Sequence, residues 1–85
     1  MMEIDELRKE IDRLDGEIVP LLLARFEVVR KIGEEKKKTG IPVYDPAREA
    51  AVLEKVSSHA PDEQTARALR LVYEQVMAAA KELEK

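Results

Sequence analysis

The sequence predicts an all-α chain of three helices, one long, one short and one of medium length, assembled as a homodimer built on paired long helices. Three observations lead there. Apolar residues recur in alternating steps of three and four across the first half of the chain: Ile4, Leu7, Ile11, Leu14, Ile18, Leu21, Val28 and Ile32. Charged residues make up 39% of the chain and aromatics only 4%, whereas strands favour β-branched and aromatic residues. At 85 residues the chain is one domain whose own core is thin, too small to cover so long an apolar seam without a partner.

The first helix is expected over Glu3 to Lys38. Asp5, Glu6 and Glu10 near its start and Lys36, Lys37 and Lys38 at its end complement the helix dipole, and Gly40 stops it. At 1.5 Å per residue this is a rod of about 54 Å. Gly16 and Pro20 oppose regularity. Because the apolar phase runs unshifted from Ile18 through Leu21 to Val28, one helix bent at Pro20 is expected rather than a hairpin broken there. Residues 39–44 form a linker. Asp45-Pro46 reads as an N-cap followed by proline at the first helical position, opening a short helix over Pro46 to Ser57 with Val52, Leu53 and Val56 as its stripe. Ser58-His59-Ala60-Pro61 breaks it. The third helix is expected over Asp62 to Glu84, with Ala66, Leu69, Tyr73, Val76, Ala80 and Leu83 at helical spacing. The second and third helices, roughly 18 and 34 Å long, are each too short to line the first.

Composition excludes several function classes. Without cysteine there is no disulfide, thiolate metal site or thiol nucleophile, and the single histidine, His59, cannot build a histidine-rich metal site. No apolar run approaches the roughly 20 residues of a bilayer span. The acidic start Met1-Met2-Glu3-Ile4-Asp5 lacks the layout of a signal peptide, so a soluble, cytoplasmic chain is expected. Fifteen Lys and Arg against 18 Asp and Glu give a net charge of −3, which argues against a general polyanion or nucleic-acid binder.

Charged residues that interrupt the apolar pattern mark the candidate site. Arg25 occupies a seam position that calls for Leu or Ile, where a cation needs an anion: either an internal partner such as Glu17 or Glu49, or a ligand. Lys36 lies nearly three turns further on the same face, within about 20°. It is either solvated with its lysine neighbours or converges with Arg25 on a small anion. Arg8 stands about 25 Å from Arg25 along the axis. It is either an exposed helix residue or, in an antiparallel dimer, the neighbour of the other chain's Arg25. Arg48 and Glu49 fall in the first turn of the second helix, and a cation is misplaced at a helix N-terminus, so Arg48 points to a ligand or a paired carboxylate. Tyr44 and Phe26 read as packing residues and His59 as a surface residue without a role.

The ordered set Leu7-Arg8, Ile11, Leu14-Asp15, Ile18, Leu21-Leu22, Arg25, Ile32-Gly33, Lys36, Pro42-Val43, Asp45, Arg48-Glu49 and Leu53 resembles the all-helical class of chorismate mutases. The likeness is dense over about half of the chain and looser in the third helix. It implies a three-helix intertwined homodimer that rearranges chorismate to prephenate in phenylalanine and tyrosine biosynthesis, with no metal and no cofactor. By position, it implies that Arg25 and the other chain's Arg8 clamp the substrate's two carboxylates. Lys36 then serves a carboxylate and the ether oxygen, Glu49 and the backbone amide of Asp45 hold the ring hydroxyl, and Arg48 lines the pocket. The third helix departs from the pattern: Ala80 stands where a serine is usual, and Glu84 where a glutamine donates to the ether oxygen, although some members carry Glu. A carboxylate donates only when protonated, so activity is expected to favour mildly acidic pH and Glu84→Gln to flatten that dependence, unless Glu84 frays into solvent beside Lys85. Two other readings stand beside this one: an isochorismate-pyruvate lyase on the same fold, and a non-catalytic helical dimerisation module. From the 85 residues, a stand-alone domain without a fused dehydratase, dehydrogenase or regulatory domain is expected.

Overall fold

A computed structural model of the chain describes residues 3–85; Met1 and Met2, which open the acidic N-terminal stretch, lie outside the described residues. It has three helices and, among the described residues, no strand: α1 (Ile4–Thr39), α2 (Pro46–Ser57) and α3 (Glu63–Glu84). The boundaries fall within a residue of those expected. Gly40 ends α1 with φ 74°, a left-handed conformation that only glycine adopts cheaply, and its N–H donates to the Lys36 carbonyl. Asp45 and Asp62 cap the other two helices, accepting from the N–H of Arg48 at 3.0 Å and of Thr65 at 2.7 Å. The Thr65 bond holds the Asp62 carboxyl below its ordinary value of 3.8.

Helix α1 passes through Pro20 without interruption, which excludes the hairpin. Proline at position 20 lacks the N–H that a regular helix would donate to the carbonyl of Gly16. That carbonyl lies on an exposed stretch where water can serve it. The molecule extends 57 Å along its longest axis, in keeping with a single rod.

Helix α3 packs against both α1 and α2 and so organises the fold. Its buried face holds Ala66, Met77, Ala80 and Glu84, while Leu69, Tyr73, Val76 and Leu83 are half-buried, close to the expected stripe. Only the C-terminal half of α1 receives this packing. There the buried residues are Val29 and Gly33, one step round the helix from the apolar period. Val28 and Ile32, assigned to the seam by spacing, stay largely exposed, as do Ile4, Leu7, Ile11, Leu14, Ile18 and Leu21. Over the N-terminal half of α1 the seam is therefore uncovered and faces outward in the single chain, while further on it runs beside the stripe that α3 covers.

Candidate active site

Where α3 lies across the C-terminal half of α1 and the first turn of α2, the helices enclose a half-open cavity of about 290 Å³. Three local features build it. The Gly40 turn folds the linker back along α1, and Lys36 Nζ donates to the Val43 carbonyl at 2.9 Å, fixing that linker to the helix. The Asp45 cap then starts α2 with Arg48 and Glu49 facing the cavity. Gly33 allows the end of α3 to come close: a Cβ there would sit 2.8 Å from both the Cα and the carbonyl oxygen of Glu84.

Seven of the eight residues expected from the sequence line this one cavity: Arg25, Lys36, Asp45, Arg48, Glu49, Ala80 and Glu84. Val29, Ile32, Val52 and Met77 supply apolar wall, which lowers the local dielectric and strengthens any ionic contact made inside. Arg8 is absent from the lining. It projects from the free N-terminal half of α1, 3.8 Å from Asp5 and largely solvated.

The alternatives left open by spacing are decided by contacts. Arg25 pairs with neither Glu17, which meets Arg13 at 3.3 Å, nor Glu49, which meets Lys81 at 3.1 Å. Its Nη1 is buried with no hydrogen-bond partner among the described residues. An unmatched buried guanidinium nitrogen is costly and is the kind of orphan a ligand satisfies. Lys36 is not solvated with its neighbours; its side chain is 16% exposed and its Nζ lies 2.6 Å from Glu84 Oε1. Glu84 does not fray, being 8% exposed in the last turn of α3. Lys36 and Glu84 thus form a shielded ion pair between α1 and the end of α3.

The charge balance follows from these pairings. Four cationic side chains line the cavity (Arg25, Lys36, Arg48, Lys81) against three acidic ones (Asp45, Glu49, Glu84). Lys36 faces Glu84, Lys81 faces Glu49, and Asp45 is engaged in its own cap. Two guanidinium groups, those of Arg25 and Arg48, then have no anionic partner among the described residues. Such a site favours a small molecule with two negative charges. No group of three or more metal-ligating side chains occurs among the described residues, and no helix there is long and apolar enough to cross a membrane.

Sequence reasoning missed Lys81 and the positional meaning of Gly33. Lys81 resembles any other lysine of a charge-rich helix; its one signal was its place beside Ala80 and one turn before Glu84. Tyr44, expected as a packing residue, is exposed, and its ring lies 4.9 Å below the Lys81 ammonium. Phe26 does pack, lining an apolar groove with Leu22, Leu71 and Val72. His59 is exposed in the α2–α3 connection.

The chain is similar in sequence and in fold to chorismate mutases. The chain is 48% identical over 56 residues to a bifunctional chorismate mutase/prephenate dehydratase of Aquifex aeolicus, a match covering 66% of this chain and 16% of that protein. It is 45% identical over 60 residues to the intracellular chorismate mutase of Mycobacterium tuberculosis, covering 71% of this chain and 57% of that one. The chain thus spans only a part of the curated relatives it matches. Among solved structures, Form II of the chorismate mutase from Thermus thermophilus superimposes with a TM-score of 0.86 at 34% identity, covering 95% of this chain and 92% of that one. Residues 7–85 match the family described as chorismate mutase type II, and the chain belongs to that family.

Proposed function

We propose that the chain converts chorismate to prephenate in a site completed by a second copy of itself. The observation that carries this reading is the buried, unpartnered Nη1 of Arg25 in a cavity of metabolite size. The rearrangement is intramolecular: one C–O bond breaks as one C–C bond forms, and no proton, electron or group leaves. The protein's task is to hold the folded conformer and to meet the negative charge that grows on the ether oxygen.

The roles are those that the resemblance to chorismate mutases implies for the residues at these positions. Arg25 clamps one carboxylate with a planar fork, and Arg8 of the partner subunit clamps the other. Lys36 donates to a carboxylate and to the ether oxygen. Glu49 and the backbone amide of Asp45 receive and orient the ring hydroxyl, Arg48 adds positive charge at the mouth, and Ala80 forms wall. Glu84, held against Lys36, stands at the ether-oxygen end, where the resemblance to chorismate mutases places a donor and where Glu84→Gln would supply one.

Homodimerisation is supported by two features of the single chain. The stripe from Ile4 to Ile18 is exposed along a free helix half, an apolar surface of the kind that seeks a partner. Arg8 projects from that same half, remote from its own chain's cavity. Antiparallel pairing of two such halves covers both stripes and carries each Arg8 toward the other chain's Arg25. The test is an assay of prephenate formation by the wild type beside Arg25→Ala. Turnover by the wild type and a loss of about 10²–10³ in the variant is expected. Salicylate from isochorismate, with no prephenate from chorismate, would identify a lyase instead.

A further inference from the structure

Lys81 is the one charged residue of the cavity wall without a role in the reading above, and two separate contacts hold it in place. Its Nζ lies 3.1 Å from Glu49 Oε2, with both side chains half-buried, and 4.9 Å from the centre of the Tyr44 ring. The contacts come from different elements: Glu49 from the first turn of α2, Tyr44 from the linker before it, and Lys81 from the last turn of α3. The pair also suits both helix dipoles, an acid near an N-terminus facing a base near a C-terminus. An ammonium within about 6 Å of an aromatic face is attracted to it, so Tyr44 steadies the lysine without taking its charge from Glu49.

We infer that Lys81 is a positioning residue of this site, holding the Glu49 carboxylate and cancelling its charge so that a hydroxyl is received beside a dianion. This rests on the proposed function, in which Glu49 accepts the ring hydroxyl. An acidic acceptor in a dianion site poses a conflict. The carboxylate must stay ionised to accept from the hydroxyl, yet its charge repels the guest in a cavity with apolar walls. Lys81 resolves it. Contact at Oε2 leaves Oε1 to receive the hydroxyl and sets the carboxylate's orientation. The arrangement also confers specificity, because a guest without a hydroxyl donor at that end gains nothing from Glu49.

The test measures kcat and KM for the wild type, Lys81→Met, Lys81→Arg, Tyr44→Leu, Glu49→Gln and the Lys81→Met/Glu49→Gln pair. Each is assayed on chorismate and on a derivative with its ring hydroxyl methylated. Lys81→Met is expected to lose about tenfold in kcat/KM on chorismate, mainly through KM, with Lys81→Arg within about threefold of the wild type. The double variant should be no worse than Glu49→Gln alone, because removing the carboxylate removes the need for its counter-ion. On the methylated derivative, still a dianion but without a hydroxyl donor, Lys81→Met should lose less than on chorismate, because the charge penalty remains while the oriented hydroxyl contact is gone. Tyr44→Leu, with both charges kept, should show a smaller loss with the same KM bias, and it carries the test if circular dichroism shows Lys81→Met unfolded. A Lys81→Met enzyme within about twofold of the wild type on chorismate, an equal loss on both substrates, or additive losses in the double variant each overturn the inference. A wild type that does not turn over chorismate overturns the proposed function and this inference with it; an active wild type indifferent to position 81 overturns the inference alone.

Discussion

Replacing Gly33 by alanine separates the stability of the helix from the placement of its neighbour. Alanine is the better helix former by about 1 kcal/mol, so propensity alone makes Gly33→Ala stabilising. The new methyl, however, would stand 2.8 Å from the Glu84 Cα, 2.8 Å from its carbonyl oxygen and 3.2 Å from its carbonyl carbon. All three atoms are backbone, so no rotamer change relieves the contact. Recovering an ordinary separation of about 3.6 Å moves the last turn of α3 by up to about 0.8 Å. Overpacking of this kind costs about 1–3 kcal/mol, which the propensity gain partly offsets. The net loss of stability is small, about 0–2 kcal/mol. Activity is far more sensitive, since displacing a reacting constellation by about 1 Å can cost up to 10²-fold. Gly33→Ala should therefore melt within several degrees of the wild type yet lose about 10–100-fold in kcat/KM for prephenate formation. Gly16→Ala is the control, because a Cβ at Gly16 meets nothing within 4 Å and lies opposite the apolar seam. It should raise the melting temperature by a few degrees at unchanged activity. Wild-type kcat/KM in Gly33→Ala would refute the claim that this close approach sets the position of Glu84.

Other perturbations have equally definite outcomes. Gly40→Ala places a side chain at φ 74° and should cost about 1–2 kcal/mol by chemical denaturation, with activity per folded molecule retained. Because the Asp62 carboxyl is held below 3.8 in the folded chain, its ionised form contributes stability at neutral pH that is lost as pH falls from 3.8 through the lowered value. Asp62→Asn keeps a capping oxygen but not the charge, so its melting temperature should vary less with pH over that acid range. Glu84→Gln places an amide donor where the carboxylate faces Lys36 and should exceed the wild type in kcat at neutral pH. A variant slower than the wild type at neutral pH would show that Glu84 acts as an acceptor or as a fixed partner of Lys36.

The helices were legible because local physics specifies them: the caps at Asp45 and Asp62, the stop at Gly40 and the 3.6-residue period of α3 are each encoded within a few residues. Arg25 and Lys36 stood out as cations on apolar or shared faces, and both line the cavity. Which stripe of α1 its own α3 would cover was not legible. Leu21, Val28 and Ile32 carry the stronger period, yet α3 settles on Val29 and Gly33, because the close approach there needs a residue without a side chain. Ion-pair choice was equally hidden. Glu49 could have faced Arg25 on charge alone; the positions of α2 and α3 give it to Lys81, which leaves Arg25 for a ligand. The likeness to chorismate mutases supplied roles for residues but no reason for Lys81 or Tyr44, which only the packing of α3 against the linker brings together.

The central claim is that each active cavity combines Arg25 of one chain with Arg8 of another. Subunit mixing tests it most directly. Arg8→Ala and Arg25→Ala are purified separately, each nearly inactive, then unfolded, mixed in equal amounts and refolded. Random pairing makes half of the dimers mixed, and each mixed dimer holds one site with both arginines intact, so activity should recover to about one quarter of the wild type. A mixture no more active than its two parents would contradict the account.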